Sequence, residues 1–137
     1  NGNYHEETIR AAYNYARSLN GLQRFEEARS LMRKTIPVAR RVLGESDALT
    51  LRMRWVCARA LSEDPAATLD DLREAVNTLG ETEQTARRVL GGANPLAVNI
   101  ERALRYSREA LSDRDASSIR GVRRDGAAGV DSKKTSS

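Results

Sequence analysis

Ala39-Arg40-Arg41-Val42-Leu43-Gly44 recurs as Ala86-Arg87-Arg88-Val89-Leu90-Gly91, 47 residues later. A fixed internal period is the mark of a repeat architecture, so the flanks decide whether the match is meaningful. Upstream, Phe25, Ala28 and Met32 shift by the same interval onto Leu72, Ala75 and Leu79. These are apolar or small residues at the i, i+3, i+7 spacing of one helix face. Further upstream the interval shortens to 42. Thr8, Arg10, Ala16, Arg17 and Leu19 fall on the identical residues Thr50, Arg52, Ala58, Arg59 and Leu61. The five extra residues of the second unit therefore lie in one turn, where Ser62 to Asp71 stands in place of Asn20 to Arg24. Turns absorb insertions at small entropic cost.

Each unit reads as two helices. The first spans roughly 5–19, with Ile9, Ala12, Ala16 and Leu19 on one side and a turn at Asn20-Gly21. The second spans roughly 25–43 and ends at Gly44, and Pro37 inside it removes a backbone hydrogen bond and predicts a bend toward the outer face. Unit two opens near Asp47 with a buried set of Leu49, Met53, Val56, Cys57, Ala60 and Leu61. Its second helix is expected to start at Asp64-Pro65, with Thr68 and Asp71 as a weaker alternative, and to end at Gly91-Gly92. Asn94-Pro95 starts a fifth helix that runs to about Leu111. Arg105 and Arg108 stand where unit two has Ala58 and Leu61, which gives this helix the polar back of a cap. The stretch 112–137 is rich in Ser, Asp, Arg, Gly and Ala and reads as a flexible basic tail. The organisation is a helical repeat domain over 1–111 (units at about 5–44 and 46–91, cap at about 94–111), then the tail.

Composition agrees with an all-α fold of about five helices. Aromatic residues make up 4% of the 137 residues, charged residues 31% and hydrophobic ones 39%. Ala, Leu, Arg and Glu favour helix, and strand formers are scarce. The net charge is +4, with acidic and basic residues interleaved. A nucleic-acid binder concentrates its basic residues on one face, so nucleic acid is not the expected partner. The lone cysteine, Cys57, cannot form an intrachain disulfide and suits a reducing intracellular compartment, cytoplasmic or an organelle reached after loss of a targeting segment. No apolar run approaches the ~20 residues of a membrane span. The first residue is Asn1, as in a processed form or a piece of a longer array.

Residues for catalysis are not assembled. His5 is the single histidine and reads as a helix-entry residue. Cys57 lies on an apolar stripe and reads as a core thiol. Glu26-Glu27 and Asp70-Asp71 sit in first helical turns, where they complement the helix dipole. Gly91-Gly92 lacks the lysine and hydroxyl of a phosphate loop. No catalytic residue, metal or cofactor is expected.

Asn14-Tyr15-Ala16, Arg24-Phe25-Glu26-Glu27-Ala28 and the Ala39–Gly44 stretch together resemble the 42-residue tetratricopeptide repeat of kinesin light chains and related proteins. Leu90-Gly91 followed by Asn94-Pro95 is similar to that family's helix start, while Ser46-Asp47 departs from it. The resemblance covers about 5–111. It implies a short right-handed superhelix of antiparallel helix pairs whose first helices line a concave groove for a partner peptide or protein. On those helices the face away from the core carries Arg10, Tyr13, Asn14 and Arg17, then Arg52, Trp55, Val56 and Arg59, then Asn99, Arg102 and Tyr106. Asn14 matches the family's groove asparagine, and Val56 replaces it in unit two. Arginine and aromatic residues are common binding hot spots. The expected function is thus a protein-interaction module or scaffold with a basic, aromatic groove for an acidic peptide. The alternative is an accessory subunit packed into a larger assembly.

Overall fold

A computed structural model describes the backbone of residues 2–136 and the side chains of residues 5–117. Five helices follow one another: α1 (Gly2–Gly21), α2 (Phe25–Val42), α3 (Ala48–Glu63), α4 (Leu69–Leu90) and α5 (Pro95–Ser136), with no strand among the described residues. Each helix packs on the next, and the short turns between them set consecutive helices antiparallel. The backbones of α1 and α3 also meet, as do those of α3 and α5, whereas those of α2 and α4 do not. The odd-numbered helices therefore form one layer and the even-numbered helices the other.

Local chemistry fixes the ends. Gly44 and Gly91 take φ of 101° and 89°, a region that glycine enters without penalty, and they stop α2 and α4. The Gly44 N–H donates to the carbonyls of Ala39 and Arg40. Asp47 and Asn94 each accept from the backbone N–H two residues on, at 2.9 Å, which starts α3 and α5 where the sequence places them. Helix α2 runs unbroken through Pro37.

Two boundaries differ from the sequence reading. The first turn is not at Asn20-Gly21: α1 runs through Gly21, and the left-handed residue is Gln23, at φ 62°. Tertiary contact explains the shift, because the Asn20 side-chain amide donates to the Val56 carbonyl of α3 and holds the last turn of α1 in place. The second helix of unit two does not start at Asp64-Pro65. Asp64 ends α3 and caps a tight turn by accepting from the Ala66 N–H, and α4 begins after Thr68. There Thr68 accepts from the Asp71 N–H and Asp71 accepts from the Thr68 N–H, both at 3.0 Å. This reciprocal pair satisfies two donors at once, where Asp64 would satisfy one.

That hydrogen bond holds the Asp71 carboxyl below the usual carboxylate range, the Thr68 N–H being the largest cause. A depressed folded pKa contributes stability above the ordinary value, lost as pH falls through the folded value. Thr68→Ala is expected to cost about 1 kcal/mol in urea unfolding at pH 7. Asp71→Asn should flatten the acid limb of the stability curve below about pH 4, and an unchanged limb would show that the box contributes nothing.

Two apolar clusters form the core. One joins α1, α2 and α3 through Ile9, Leu19, Phe25, Met32, Met53 and Val56, among others. The other joins α3, α4 and α5 through Leu51, Leu61, Leu79, Leu96, Ile100 and Leu104, among others. Helix α3 contributes to both and is the central element.

Helix α5 closes the stack, with Arg105 and Arg108 exposed on its back. It does not end near Leu111. Residues 112–117 continue it, and Arg114 donates at 2.7 Å to the carbonyl of Ala67 in the turn between α3 and α4. The longer turn of unit two thus gives the last helix a place to dock. The side chains of 118–137, on which most of the expected flexible tail falls, lie outside the described residues.

Candidate functional site

Helix α3 shows how the site is made. Packed on by neighbours on both sides, it buries eleven of its sixteen residues. Those left partly or fully exposed are Ala48, Arg52, Trp55, Arg59 and Glu63. They recur at i, i+4, i+7, i+11 and i+15, one narrow stripe along a helix. This stripe is bordered by α1 on one side and α5 on the other.

The candidates on α1 divide. Arg10, Asn14 and Arg17 are exposed, whereas Tyr13 is buried among the core residues with 5% of its surface left. Tyr13 still acts on the site, because the Arg17 guanidinium lies 5.6 Å from the centre of its ring. Unit two repeats this arrangement, with the Arg59 guanidinium 5.4 Å from the ring of half-buried Trp55. Sequence position shows why: in each helix the arginine follows the ring by four residues, the interval that places side chains on one face. A cation over an aromatic face is held there by the ring's quadrupole.

Carboxylates modulate the basic face. Glu63 binds Arg59 at 2.6 Å, and Glu6 lies 4.0 Å from Arg10. Among the described residues, Arg17, Arg52 and Arg102 have no carboxylate within 4.0 Å. On α5, Arg102 is exposed, Asn99 half-buried and Tyr106 51% exposed. Val56 is 1% exposed and its carbonyl is occupied by Asn20, so unit two presents no counterpart to the exposed Asn14.

Cys57 is buried, and loss of water around it is the main reason its thiol is pushed up to about 11. It stays protonated at neutral pH and is a poor nucleophile. No group of three or more His, Cys, Asp or Glu side chains suited to a metal occurs among the described residues. Among them, no helix is long and apolar enough to cross a membrane.

Sequence reasoning missed Arg54. Its side chain is 8% exposed and reaches Glu81 of α4 at 3.2 Å. A signal existed, since Arg54 falls on the same stripe as Leu51, Ala58 and Leu61, where an arginine has to be buried.

Residues 8–48, which cover most of α1, all of α2 and the turn into α3, match the family model described as tetratricopeptide repeat. No curated protein and no solved structure gives a match to the chain. The matched helix pair is followed by a second pair with the same order, the same recurring residues and the same ring-and-arginine arrangement. Residues 8–48 thus form a tetratricopeptide repeat, a kind of repeat that generally serves protein–protein interaction.

Proposed function

We propose that the face formed by α1, α3 and α5 binds an acidic, extended or helical segment of a partner protein. The observation that carries this reading is the stripe on α3, which exposes Arg52, Trp55 and Arg59 and buries nearly everything else. Arg17 flanks it from α1, and Arg102 and Tyr106 flank it from α5. The rings of Tyr13 and Trp55 restrain the Arg17 and Arg59 guanidiniums before any ligand arrives. Pre-ordering removes part of the side-chain entropy cost of binding, which is about 0.5–1.5 kcal/mol per long side chain. Asn14 supplies one polar group for a peptide backbone, as the family resemblance implies. With Val56 buried in unit two, that grip acts at one point, and charge and ring contacts supply the rest.

The test is a titration of extended Glu- and Asp-rich peptides, each with one apolar anchor, into the wild-type chain and an Arg17→Glu, Arg59→Glu double variant. Both positions are on the surface, so the fold should persist, which circular dichroism checks. The double variant is expected to bind at least about tenfold more weakly, equivalent to about 1.4 kcal/mol. Binding to the wild type should weaken as salt rises. Equal affinity of the two proteins for every peptide would eliminate this face as the binding site.

A further inference from the structure

On the side of α3 opposite the exposed stripe lies a cavity of about 280 Å³ between α2, α3 and α4. Arg33 and Arg40 of α2, Arg54 and Cys57 of α3, and Glu74 and Glu81 of α4 are among the residues that line it. A cluster of three arginines around one small cavity is costly unless each charge is compensated. The compensation is of unequal quality. Glu74 holds Arg33 at 3.1 Å, and Glu45, from outside the cavity, holds Arg40 at 2.7 Å. Both of these pairs are well exposed, so solvent screens them and they hold their partners weakly.

Arg54 is different. Its guanidinium is buried, yet its one carboxylate partner, Glu81, is 76% exposed, and its Nε makes no hydrogen bond among the described residues. A buried charged donor without a partner is among the more expensive features a fold retains. Each of the three guanidiniums has one carboxylate partner, but only the Arg54 guanidinium is buried, so its charge is the least well compensated.

We propose that this cavity binds a small oxyanion, a phosphate or carboxylate group, with Arg54 as its anchor and Arg33 and Arg40 closing over it. An oxyanion that displaces the exposed Glu81 carboxylate meets the fork of Arg54, whose paired N–H groups match two oxygens of one anion. The volume lies at the low end for ligand sites, which run from about 300 to 1,000 Å³ for drug-sized ligands. A single phosphoryl group or a small carboxylic acid fits this space. The ligand would bridge α2, α3 and α4, the helices on either side of the junction between units, so occupancy would also brace that junction.

Cys57 lines the cavity and is the chain's only cysteine, which makes it a built-in reporter. The experiment is calorimetric titration of the intact chain with inorganic phosphate and, separately, with succinate, at ionic strength held constant with chloride. Modification of Cys57 by a neutral maleimide is followed in parallel by mass spectrometry. At least one of the two anions is expected to bind at 1:1 with a Kd on the order of 1 mM or tighter, and to slow modification of Cys57. The anion that binds distinguishes a phosphoryl from a carboxylate ligand. Arg54→Lys keeps the charge and removes the fork, and it is expected to weaken binding about tenfold. Should Arg54→Lys fail to fold, Arg40→Gln tests the same site from an exposed position, with an expected loss of severalfold. No saturable heat with either anion, or affinity unchanged in Arg40→Gln and in a folded Arg54→Lys, would overturn the proposal and leave the cluster as interhelix packing.

Discussion

Deleting α5, by ending the chain at Gly92, is expected to abolish cooperative unfolding of the domain. Leu96, Ala97, Ile100 and Leu104 of α5 are buried against Leu51, Ala58 and Leu61 of α3 and Leu79 of α4 in one cluster. Burying a large apolar side chain contributes about 1.5–3 kcal/mol. Without α5, three such side chains disappear and their partners on α3 and α4 become wet. A domain of this size has about 5–15 kcal/mol of net stability to lose. The measurement is urea unfolding followed by far-ultraviolet circular dichroism, together with binding of a dye that reports exposed apolar surface. The shortened chain should bind the dye and unfold without a sharp transition. A sharp transition at the midpoint of the full chain would mean that α1 to α4 stand alone and that α5 is not a cap.

Leu51→Ala and Met53→Ala are each expected to cost about 2–5 kcal/mol, the range for emptying a packed position. They lie two residues apart on α3, and both are completely buried, but in different clusters. Leu51 faces α4 and α5, and Met53 faces α1 and α2. The pair therefore asks whether the two clusters act as one cooperative unit through α3. If they do, each substitution lowers the whole unfolding transition. Leu22→Ala is the control, since Leu22 is 67% exposed, and it should change stability by no more than about 0.5 kcal/mol. If either core variant moved the midpoint no further than Leu22→Ala, the described packing of α3 would be wrong at that residue.

The helix pairs were legible because their signals are local. Gly44 and Gly91 end helices through their own backbone freedom, and Asp47 and Asn94 start them through their own side chains. The apolar stripes repeat at helical spacing, and a second copy of the pattern supplied an internal check. The exposure of Arg10, Arg17, Arg52 and Arg102, members of the proposed binding face, was also legible, since they lie opposite apolar stripes.

What failed had two causes, contacts between helices and competition between local signals. Gln23 in place of Gly21 at the turn depends on Asn20 reaching α3. The start of α4 at Thr68 turned on two competing local signals, and the one that satisfied more backbone donors won. Tyr13 and Trp55 looked alike as groove aromatics, but one is buried and the other half-exposed. The difference comes from how closely the neighbouring helices approach, which no residue states alone. The cavity lined by Arg33, Arg40 and Arg54 joins three helices and has no sequence motif at all.

By itself, then, the sequence determined that this protein is a stack of helix pairs with a polar-backed last helix, because helix period, caps and terminators act within a few residues. Only the tertiary structure decided that α3 is buried on both sides, that Arg114 docks on the inserted turn through Ala67, and that a buried arginine faces a cavity between the units. Those features depend on which surfaces meet across 27 to 47 residues of chain, as in Arg54 with Glu81 and Arg114 with Ala67, and burial is a property of the meeting rather than of either residue.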